Sequence, residues 1–390
     1  MLVDWIKNNM KYADKYHTHS EAVIVSCYFN PQNSPYRLKA FNIFYESIKH
    51  LNHSIIECVI GDSKPQLEES EHITRIHTEN LLWHKETLLN KVISELPKKY
   101  KYVFWVDADV IFKNLNWLVD GVKELQVANI IQPFSYCVHL EKDEMKPAFN
   151  IPNLNTPNRY NKNVWRSFCA NYVETNLSGS EIYNDHGHVG LAWGARRSVL
   201  EEIPLYDKAL IGGADHIMAH AAAGQINHKC ITKSFYDNID EVNDWSMKFF
   251  KVVNGNIGFV HGDLYHIWHG DTSKRQYLKR IQDFTPETKK ITERDSNGLF
   301  ITKRGDSAYM KNYMREREVS PIDDSNDLLD AVVTGYVIES VIDSLGSCVE
   351  SYPSFPDAVL SPVDGGDFGG GTSGGGGATS EWDSNNENFS

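Results

Sequence analysis

The sequence predicts an α/β protein with a mostly parallel central sheet flanked by helices. Strand-like and helix-like patterns alternate along its N-terminal part, which is the order of a βαβ fold. One segment, residues 102–106 (YVFWV), is apolar without alternation, as expected for a parallel strand covered on both faces. The strand-like runs end in Asn-Pro or Gly-Asp pairs, which are typical of turns.

The first βαβ unit is predicted from three segments. A strand at 22–25 is followed by a helix at 36–51 and a second strand at 55–60. A crossover helix between two neighbouring strands implies that the strands are parallel. The predicted helix has one apolar stripe suited to covering a sheet, formed by Leu38, Phe41, Phe44, Tyr45 and Ile48.

The remaining elements follow the same pattern. A helix at 85–95 precedes the strand at 102–106, which we expect at the centre of the sheet. Residues 140–180 are polar and rich in Asn and Pro, and they predict a long loop or lid. Further elements are expected as a strand at 188–193, helices at 198–203 and 215–220, and a strand at 264–268.

Three regions are predicted along the chain. The α/β domain should span residues 20–300, and a helical extension should span 301–345, with one short amphipathic helix at 327–342. Residues 346–390 are predicted to be a disordered Gly/Ser-rich tail, because they include the segment 365–377, GGDFGGGTSGGGG.

Composition excludes several classes of protein. The formal net charge of −13 over 390 residues argues against sequence-blind binding of nucleic acid or anionic membrane. The six cysteines are scattered without a C-x-x-C pair, so we expect a reducing compartment rather than a disulfide framework. No apolar run suggests a signal peptide or a membrane span, which predicts a soluble cytoplasmic protein.

The sharpest motif is FWVDADVIF, residues 104–112. Asp107 and Asp109 stand at the end of the predicted central strand, where open α/β sheets bind ligands. Two carboxylates this close raise each other's pKa unless a cation intervenes, and hard oxygen ligands favour Mg²⁺ or Mn²⁺ bound to a diphosphate. The alternative is a solvated turn, since short D-x-D strings are common.

Three blocks of the sequence resemble the GT-A family of nucleotide-sugar glycosyltransferases, and in particular its galactosyltransferase-like members. The first is LLWHKETLLNKVISELPKKYKYVFWVDADVIF, the second is GLAWGARRSVLEEIPLYDKALIGGADHIMAH, and the third is LYHIWHG. They occur in the family's order within residues 20–285. The resemblance implies a Rossmann-like GT-A domain and a hexosyltransferase activity that depends on Mn²⁺ or Mg²⁺. Golgi members of the family usually carry a membrane anchor, so we expect a bacterial or virus-infected host cytoplasm.

The resemblance also implies roles for residues of the first block. Asp109 is expected to be a direct metal ligand, and Asp107 to contact the nucleotide ribose or the metal with its waters. Lys85 and Asn90, on the helix before the strand, are expected to bind the donor nucleotide. Among the aromatic residues, Trp193 is the best candidate for a platform under a sugar, whereas Trp83 is a weaker one and Trp105 lies in the core strand.

The third block offers two histidines as metal ligands. His266 and His269 lie three residues apart, so on a strand they would point to opposite faces and only one would meet the metal. His269 is the preferred ligand because it stands at the strand end beside Gly270. His266 is then expected to be a core histidine, although either of the two remains a candidate.

The second block holds the candidate general base. Asp215 follows two glycines at the start of a predicted helix, whose dipole would stabilise a carboxylate. In similar inverting enzymes the acid at this place deprotonates the acceptor hydroxyl, which makes inversion the expected outcome. A plain helix N-cap is the alternative, and retention of configuration stays open.

Other polar residues carry weaker signals. His216 and His220 have the spacing of a zinc-protease pair, but Ile217 replaces the glutamate that this chemistry needs. His186 and His188 suggest a loop role. A basic run after the third block suggests either a grip on the diphosphate or a solvated helix face; it consists of Lys274, Arg275, Lys279 and Arg280.

The predicted function is therefore transfer of a sugar from a nucleotide diphosphate, expected to be a uridine diphosphate, to an acceptor hydroxyl. A glycan, a protein or a modified DNA base are all open as acceptors. Two rivals remain: a nucleotidyltransferase or metal phosphoesterase, which usually needs more acidic ligands, and a non-catalytic nucleotide-sugar-binding protein.

Overall fold

The computed structural model describes residues 18–140, 164–175, 186–234, 239–270, 291, 293–301 and 308–317. The strands are β1 (Ala22–Tyr28), β2 (His53–Ile60), β3 (Ile73–Thr78), β4 (Tyr102–Val106), β5 (Val110–Phe112), β6 (Ile130–Gln132), β7 (Tyr136–His139), β8 (Val164–Arg166), β9 (Ala192–Arg196), β10 (Ile257–Phe259) and β11 (Asp263–His266). The helices are α1 (Pro35–Ile48), α2 (Lys85–Glu95), α3 (Trp117–Glu124), α4 (Phe168–Ala170), α5 (Arg197–Glu202), α6 (Ala214–Ala222), α7 (Lys229–Ser234), α8 (Ile239–Val253) and α9 (Ala308–Arg317). A π-helical turn, Asn171–Thr175, follows α4.

Seven strands form the central sheet in the order β10-β6-β9-β4-β1-β2-β3. β4 is the middle strand and runs parallel to β1, which is parallel to β2. β9 alone is reversed, since it pairs antiparallel with both of its neighbours, β4 and β6. The α/β class with a mostly parallel sheet is therefore confirmed, and so is the central position of β4.

The sequence of β4 explains its central position. Val103 and Trp105 belong to one apolar core cluster, whereas Phe104 and Val106 belong to another. Side chains alternate between the two faces of a strand, so the two clusters cover opposite faces of the sheet. A strand with no polar face can lie only where both faces are covered, which is the middle of the sheet.

A smaller sheet begins directly after β4, in the order β5-β11-β7-β8. β5 is antiparallel to β11, and Val110 lies opposite His266. β11 is also parallel to β7, with His266 beside His139. This register brings the histidine-bearing strand next to the turn that carries Asp107 and Asp109.

Two segments differ from the predicted secondary structure. The strand predicted at 188–193 begins only at Ala192, because Leu191 has a positive φ of 79°, which interrupts an extended chain. Within the predicted loop at 140–180, residues 164–175 form β8, α4 and the π-helical turn. These short apolar elements escaped sequence analysis because their surroundings are rich in Asn and Pro.

Several predictions lie outside the described residues: the helix at 327–342, the glycine-rich tail, the basic run and most of the loop at 140–180. The domain boundaries stay predictions. In the ranges that the structure describes, five cysteines are free of disulfide bonds: Cys27, Cys58, Cys137, Cys169 and Cys230. None of the described helices is both long enough and apolar enough to cross a bilayer.

The contact between β4 and β9 generates a stability prediction. Gly194 lies opposite Phe104 in the sheet, and a Cβ atom added at Gly194 would stand 2.6 Å from the Phe104 ring. We expect Gly194→Ala to lower the free energy of unfolding by about 1–3 kcal/mol, because the ring is fully buried and cannot move away. Urea denaturation measures the change. The loss should be smaller when Gly194→Ala is introduced into a Phe104→Leu background, and an equal loss in both backgrounds would contradict the explanation.

Candidate metal centre

The Asp107-Ala108-Asp109 turn lies at the carboxyl end of β4. The Asp107 backbone N–H donates to the Leu191 carbonyl at 2.7 Å, which continues the β4 pairing by one residue. β5 then starts at Val110. The turn thus stands at the sheet edge where ligands bind in open α/β folds.

Asp109 contacts both predicted histidines. Its Oδ2 lies 2.9 Å from His269 Nε2 and 3.7 Å from His266 Nε2. One ligand atom from each of the three residues lies within 4.8 Å of the others. The Asp109 carbonyl also accepts a hydrogen bond of 2.8 Å from the Ile267 backbone N–H, so the main chain fixes the segment between the histidines.

The two histidines face the same carboxylate, which differs from the expectation of opposite faces. The alternation of a strand does not apply because β11 ends at His266, and His269 belongs to the turn that follows. Gly270 supports this turn with a φ of 140°. Trp268 packs edge-on against Tyr36 at 4.9 Å, and the His139 ring stacks on His266 at 4.5 Å.

The residues of this group fit a divalent metal ion. One carboxylate oxygen and two imidazole nitrogens are an O,N,N donor set that transition-metal ions accept. Both histidines are almost fully buried, whereas the Asp109 side chain is 21% exposed, so the group opens to solvent on the side of the carboxylate. A site with protein ligands on one side and access on the other can admit a substrate as a further ligand.

Lys85 lies between two further carboxylates. Its Nζ is 2.6 Å from Asp107 Oδ1 and 3.0 Å from Asp215 Oδ2. The three residues come from the start of α2, the end of β4 and the first turn of α6. One ammonium group therefore joins three elements that are far apart in the sequence.

The pKa values of Lys85 and Asp107 are both raised, for different reasons. Burial disfavours the Lys85 ammonium, but the Asp107 and Asp215 carboxylates outweigh it and raise the Lys85 pKa well above its usual value. Burial raises the pKa of Asp107 to about 6, with Lys85 opposing and Asp215 and Asp109 adding to the rise. A cation bound at Asp109 would favour the ionised form of Asp107.

Glu86 is a buried carboxyl that sequence analysis did not single out. Burial raises its pKa to about 8, against the lowering effect of Lys85, while the charge of Asp215 adds to the rise. Burial thus favours the neutral form of the Glu86 carboxyl. Its position next to Lys85 was visible in the sequence, but its burial was not.

Asp215 lies in the first turn of α6, as predicted. The N-cap of this helix is Gly213, which has a φ of 100°, so the alternative that Asp215 is itself the N-cap is wrong. Asp215 Oδ2 would stand 3.4 Å from a Cβ atom built on Gly190. The carboxylate thus has the helix dipole behind it, Lys85 on one side and a glycine that leaves space on another.

Asn90 and Trp193, two predicted donor-binding residues, both make contacts within the protein. Asn90 exchanges two hydrogen bonds with the Leu205 backbone, at 2.9 and 3.0 Å, so both ends of its amide are used; its predicted contact with a nucleotide stays a prediction. For Trp193 the structure gives a correction. It is 1% exposed in the interior strand β9, and its indole N–H donates to the Val189 carbonyl, so its faces pack in the core and cannot support a sugar.

The other tryptophans are also packed. Trp105 is buried in β4, as expected for a core strand. Trp83 is half-buried and meets Phe29 edge-on at 5.2 Å.

Comparison with solved structures gives distant resemblances. Glucosyl-3-phosphoglycerate synthase from Mycobacterium tuberculosis, in complex with Mn²⁺, UDP-glucose and phosphoglyceric acid, is 11% identical, with 73% of this chain and 84% of that chain covered and a TM-score of 0.34. The catalytic domain of Drosophila beta1,4-galactosyltransferase 7 with xylobiose is 9% identical, with 69% and 79% covered and a TM-score of 0.29. No protein-family model and no curated protein sequence matches the chain.

The position of Lys85 generates a prediction. We expect Lys85→Met to lower the free energy of unfolding by roughly 2–4 kcal/mol, because it leaves two neighbouring carboxylates without their shared cation. Urea denaturation at neutral pH measures this. The triple variant Lys85→Met/Asp107→Asn/Asp215→Asn should lose less than the single variant, since the repulsion is gone.

Lys101→Met is the matched control for this lysine. Lys101 pairs with Glu21 at the surface, where it is 64% exposed, so its loss should leave the free energy of unfolding essentially unchanged. A Lys85→Met variant as stable as Lys101→Met would contradict the role assigned to Lys85.

Proposed function

We propose that the protein is a metal-dependent glycosyltransferase that moves a sugar from a nucleotide diphosphate to an acceptor hydroxyl. The observation that carries the proposal is the convergence of Asp109, His266 and His269 at the carboxyl end of the central strand. An open O,N,N site at the ligand-binding edge of a mostly parallel sheet suits a metal that binds a diphosphate. The proposed domain is GT-A-like and spans residues 20–300, with the cytoplasm of a bacterium or of a virus-infected host cell as its setting.

The proposed metal ligands and the neighbouring ion pairs of Lys85 have different proposed roles. Asp109, His266 and His269 would hold the ion, and the bound ion would neutralise the charge that develops on the departing nucleoside diphosphate. Asp107 is held by Lys85 at 2.6 Å, so we assign it to the donor side of the site rather than to the metal. Lys85 positions both Asp107 and Asp215.

The donor set favours Mn²⁺ over Mg²⁺. Mg²⁺ is bound by oxygen ligands and keeps several waters, whereas imidazole nitrogen is a better ligand for transition metals. Two of the three proposed ligands are imidazoles. We therefore expect activity with Mn²⁺ to exceed activity with Mg²⁺ at equal concentration.

Asp215 is the proposed general base. It pairs with Lys85 and lies in the first turn of α6, and Gly190 leaves space beside it. The carboxylate would take the proton of an acceptor hydroxyl as that oxygen attacks the anomeric carbon and the nucleotide leaves. Such a direct displacement inverts the anomeric configuration, which NMR of the product would determine.

The geometry weighs against a two-metal nucleotidyltransferase or phosphoesterase. Such enzymes usually share several carboxylates between two ions. Among the described residues, the group around Asp109 contains one carboxylate and two imidazoles, and the carboxylates of Asp107 and Asp215 already share a lysine. Release of pyrophosphate instead of a nucleoside diphosphate would favour this rival.

Donor hydrolysis tests the proposal. The purified chain is incubated with a panel of nucleotide sugars, starting with UDP-linked hexoses, in Mn²⁺, Mg²⁺ or EDTA, and release of nucleoside diphosphate is measured. We expect metal-dependent release from one donor, lowered at least about 100-fold by Asp109→Ala because the ion loses its carboxylate ligand.

Asp244→Ala is the matched control for this loss. Asp244 is an exposed aspartate paired with Lys248 on α8, and its removal should leave release unchanged. If no donor is hydrolysed and no donor binds in a metal-dependent way, the glycosyltransferase proposal fails. Metal-dependent donor binding without release or transfer would favour a non-catalytic nucleotide-sugar-binding protein.

A second prediction separates the base from the metal ligands. Asp215→Asn should lower the turnover of transfer about 10²–10⁴-fold, because an amide cannot accept the proton. The Mn²⁺-dependent affinity for the donor should stay within about threefold, since the group at Asp109 is intact. Calorimetric donor titration and initial rates measure the two effects. Equal losses of affinity and turnover would instead place Asp215 in donor binding.

A further inference from the structure

A second group of metal-ligating side chains lies in the core. It consists of His186, His216, His220 and Cys230, all buried, with one ligand atom from each within 4.8 Å of the others. His216 and His220 stand one turn apart on α6, Cys230 lies in α7, and His186 lies in the segment before β9. His186 was expected only to have a role in a loop, but the fold also brings its ring next to His216 and His220 on α6.

The side chains converge on the Cys230 sulfur. His216 Nε2 lies 3.0 Å from Cys230 Sγ, and His220 Nε2 lies 3.2 Å from it. The His186 ring is 5.0 Å from the rings of both His216 and His220. In a tetrahedral zinc site, neighbouring nitrogen and sulfur ligands are about 3.6 Å apart. A shift of a few tenths of an ångström would convert the observed contacts into that arrangement.

Hydrogen bonds at the outer nitrogens orient two of the rings. His186 Nδ1 lies 3.0 Å from the Gly187 carbonyl, and His220 Nδ1 lies 2.8 Å from Gln225 Oε1. A carbonyl oxygen can only accept, so each Nδ1 carries the proton and each Nε2 keeps its lone pair. For His220 that lone pair faces Cys230. An imidazole held at one nitrogen by a carbonyl and free to coordinate with the other is typical of metal-binding histidines.

The single proton of the Cys230 thiol cannot form a hydrogen bond with every histidine nitrogen around the sulfur. Besides His216 and His220, His228 also meets the sulfur, with its Nδ1 at 2.8 Å. A neutral thiol donates one hydrogen bond, whereas several nitrogens surround it. A divalent cation would be shared by the inner nitrogens and the sulfur.

Reactive-cysteine chemistry does not fit this site. Burial raises the pKa of Cys230 to about 12, so the free group is a thiol and not a nucleophilic thiolate. Burial, together with the neighbouring histidines, lowers the pKa of His220 to about 3, which leaves the ring neutral. A neutral imidazole is the form that coordinates metals, and a bound cation is what would deprotonate the thiol.

We propose that His186, His216, His220 and Cys230 form a closed structural zinc site, separate from the metal centre at Asp109. Four buried protein ligands complete a tetrahedron without a position for substrate, which distinguishes a structural from a catalytic site. The thiolate makes the site soft, which favours Zn²⁺ over Mn²⁺ and Mg²⁺. The ion would link α6, α7 and the segment before β9. This proposal does not depend on the glycosyltransferase activity.

Metal analysis of the full chain is the first test. Protein purified without added metal and dialysed against a weak chelator should retain roughly one zinc per chain, measured by plasma mass spectrometry. Asp109→Ala should retain the same zinc, because it changes only the open site. A wild-type chain that holds no zinc, and takes up none from a buffered Zn²⁺ solution, would overturn the proposal.

Cobalt substitution identifies the ligands. Co²⁺ in the stripped chain should give the intense visible bands of a tetrahedral ion and a near-ultraviolet thiolate charge-transfer band. Cys230→Ser should abolish the thiolate band. Cys137→Ser is the matched control, since Cys137 is also buried and also lies beside two histidines, His139 and His188. This control should keep the band.

Each result of the cobalt experiment decides the proposal. A band lost in Cys137→Ser but kept in Cys230→Ser would overturn it in favour of the other cysteine. If Cys230→Ser does not fold, the wild-type and Cys137→Ser spectra still decide, because a tetrahedral thiolate spectrum must be present in both. Zinc binding should also raise the melting temperature of the stripped chain by about 5 °C or more, independently of any activity.

Discussion

The candidate site depends on a single buried ammonium group. Lys85 lies between the carboxylates of Asp107 and Asp215, and without it these two acids would repel each other across the site. Burying Lys85 costs free energy, which two short ion pairs offset. Since Lys85 starts α2, Asp107 follows β4 and Asp215 lies in α6, the same charge that neutralises the acids also sets the spacing of three elements. The turn that carries the candidate metal ligand Asp109 and the proposed base Asp215 are therefore held in register by electrostatics as well as by packing.

The parts of this arrangement that local sequence determines were predictable. β4 is five consecutive apolar residues, a pattern that only a doubly covered strand accommodates, and its bounds and central place follow. Asp109 is placed by the end of that strand, and Asp215 by the glycines before α6. Lys85 and the histidines were identified from the family resemblance instead. The distance between His266 and Asp109 depends on how β11 pairs with β5, a long-range register that no local pattern encodes.

The predictions that differ from the structure also failed because of long-range pairing. β9 lies between β4 and β6, in the interior of the sheet. The indole of Trp193, predicted to be a platform under a sugar, is therefore packed in the core. The alternation rule separated His266 from His269 because it assumed that the strand continued past His266. Cys230 carried no signal, since its partners come from a helix and from a segment that are distant in sequence. In each case tertiary pairing, and not residue preference, decided the environment.

The helix α6 carries both the proposed general base and two ligands of the proposed zinc site. Asp215 and His216 are consecutive, and successive residues of a helix point about 100° apart, so one side chain meets Lys85 while the next meets Cys230. Anything that fixes His216 and His220 also fixes the rotation of α6 about its axis, and with it the direction of Asp215. The ligand sets keep the ions apart: three imidazoles and a thiolate favour zinc, whereas a carboxylate with two imidazoles also accepts a harder, more exchangeable ion. One chain can thus hold a permanent ion that orients a helix and an open site that binds a metal together with its substrate.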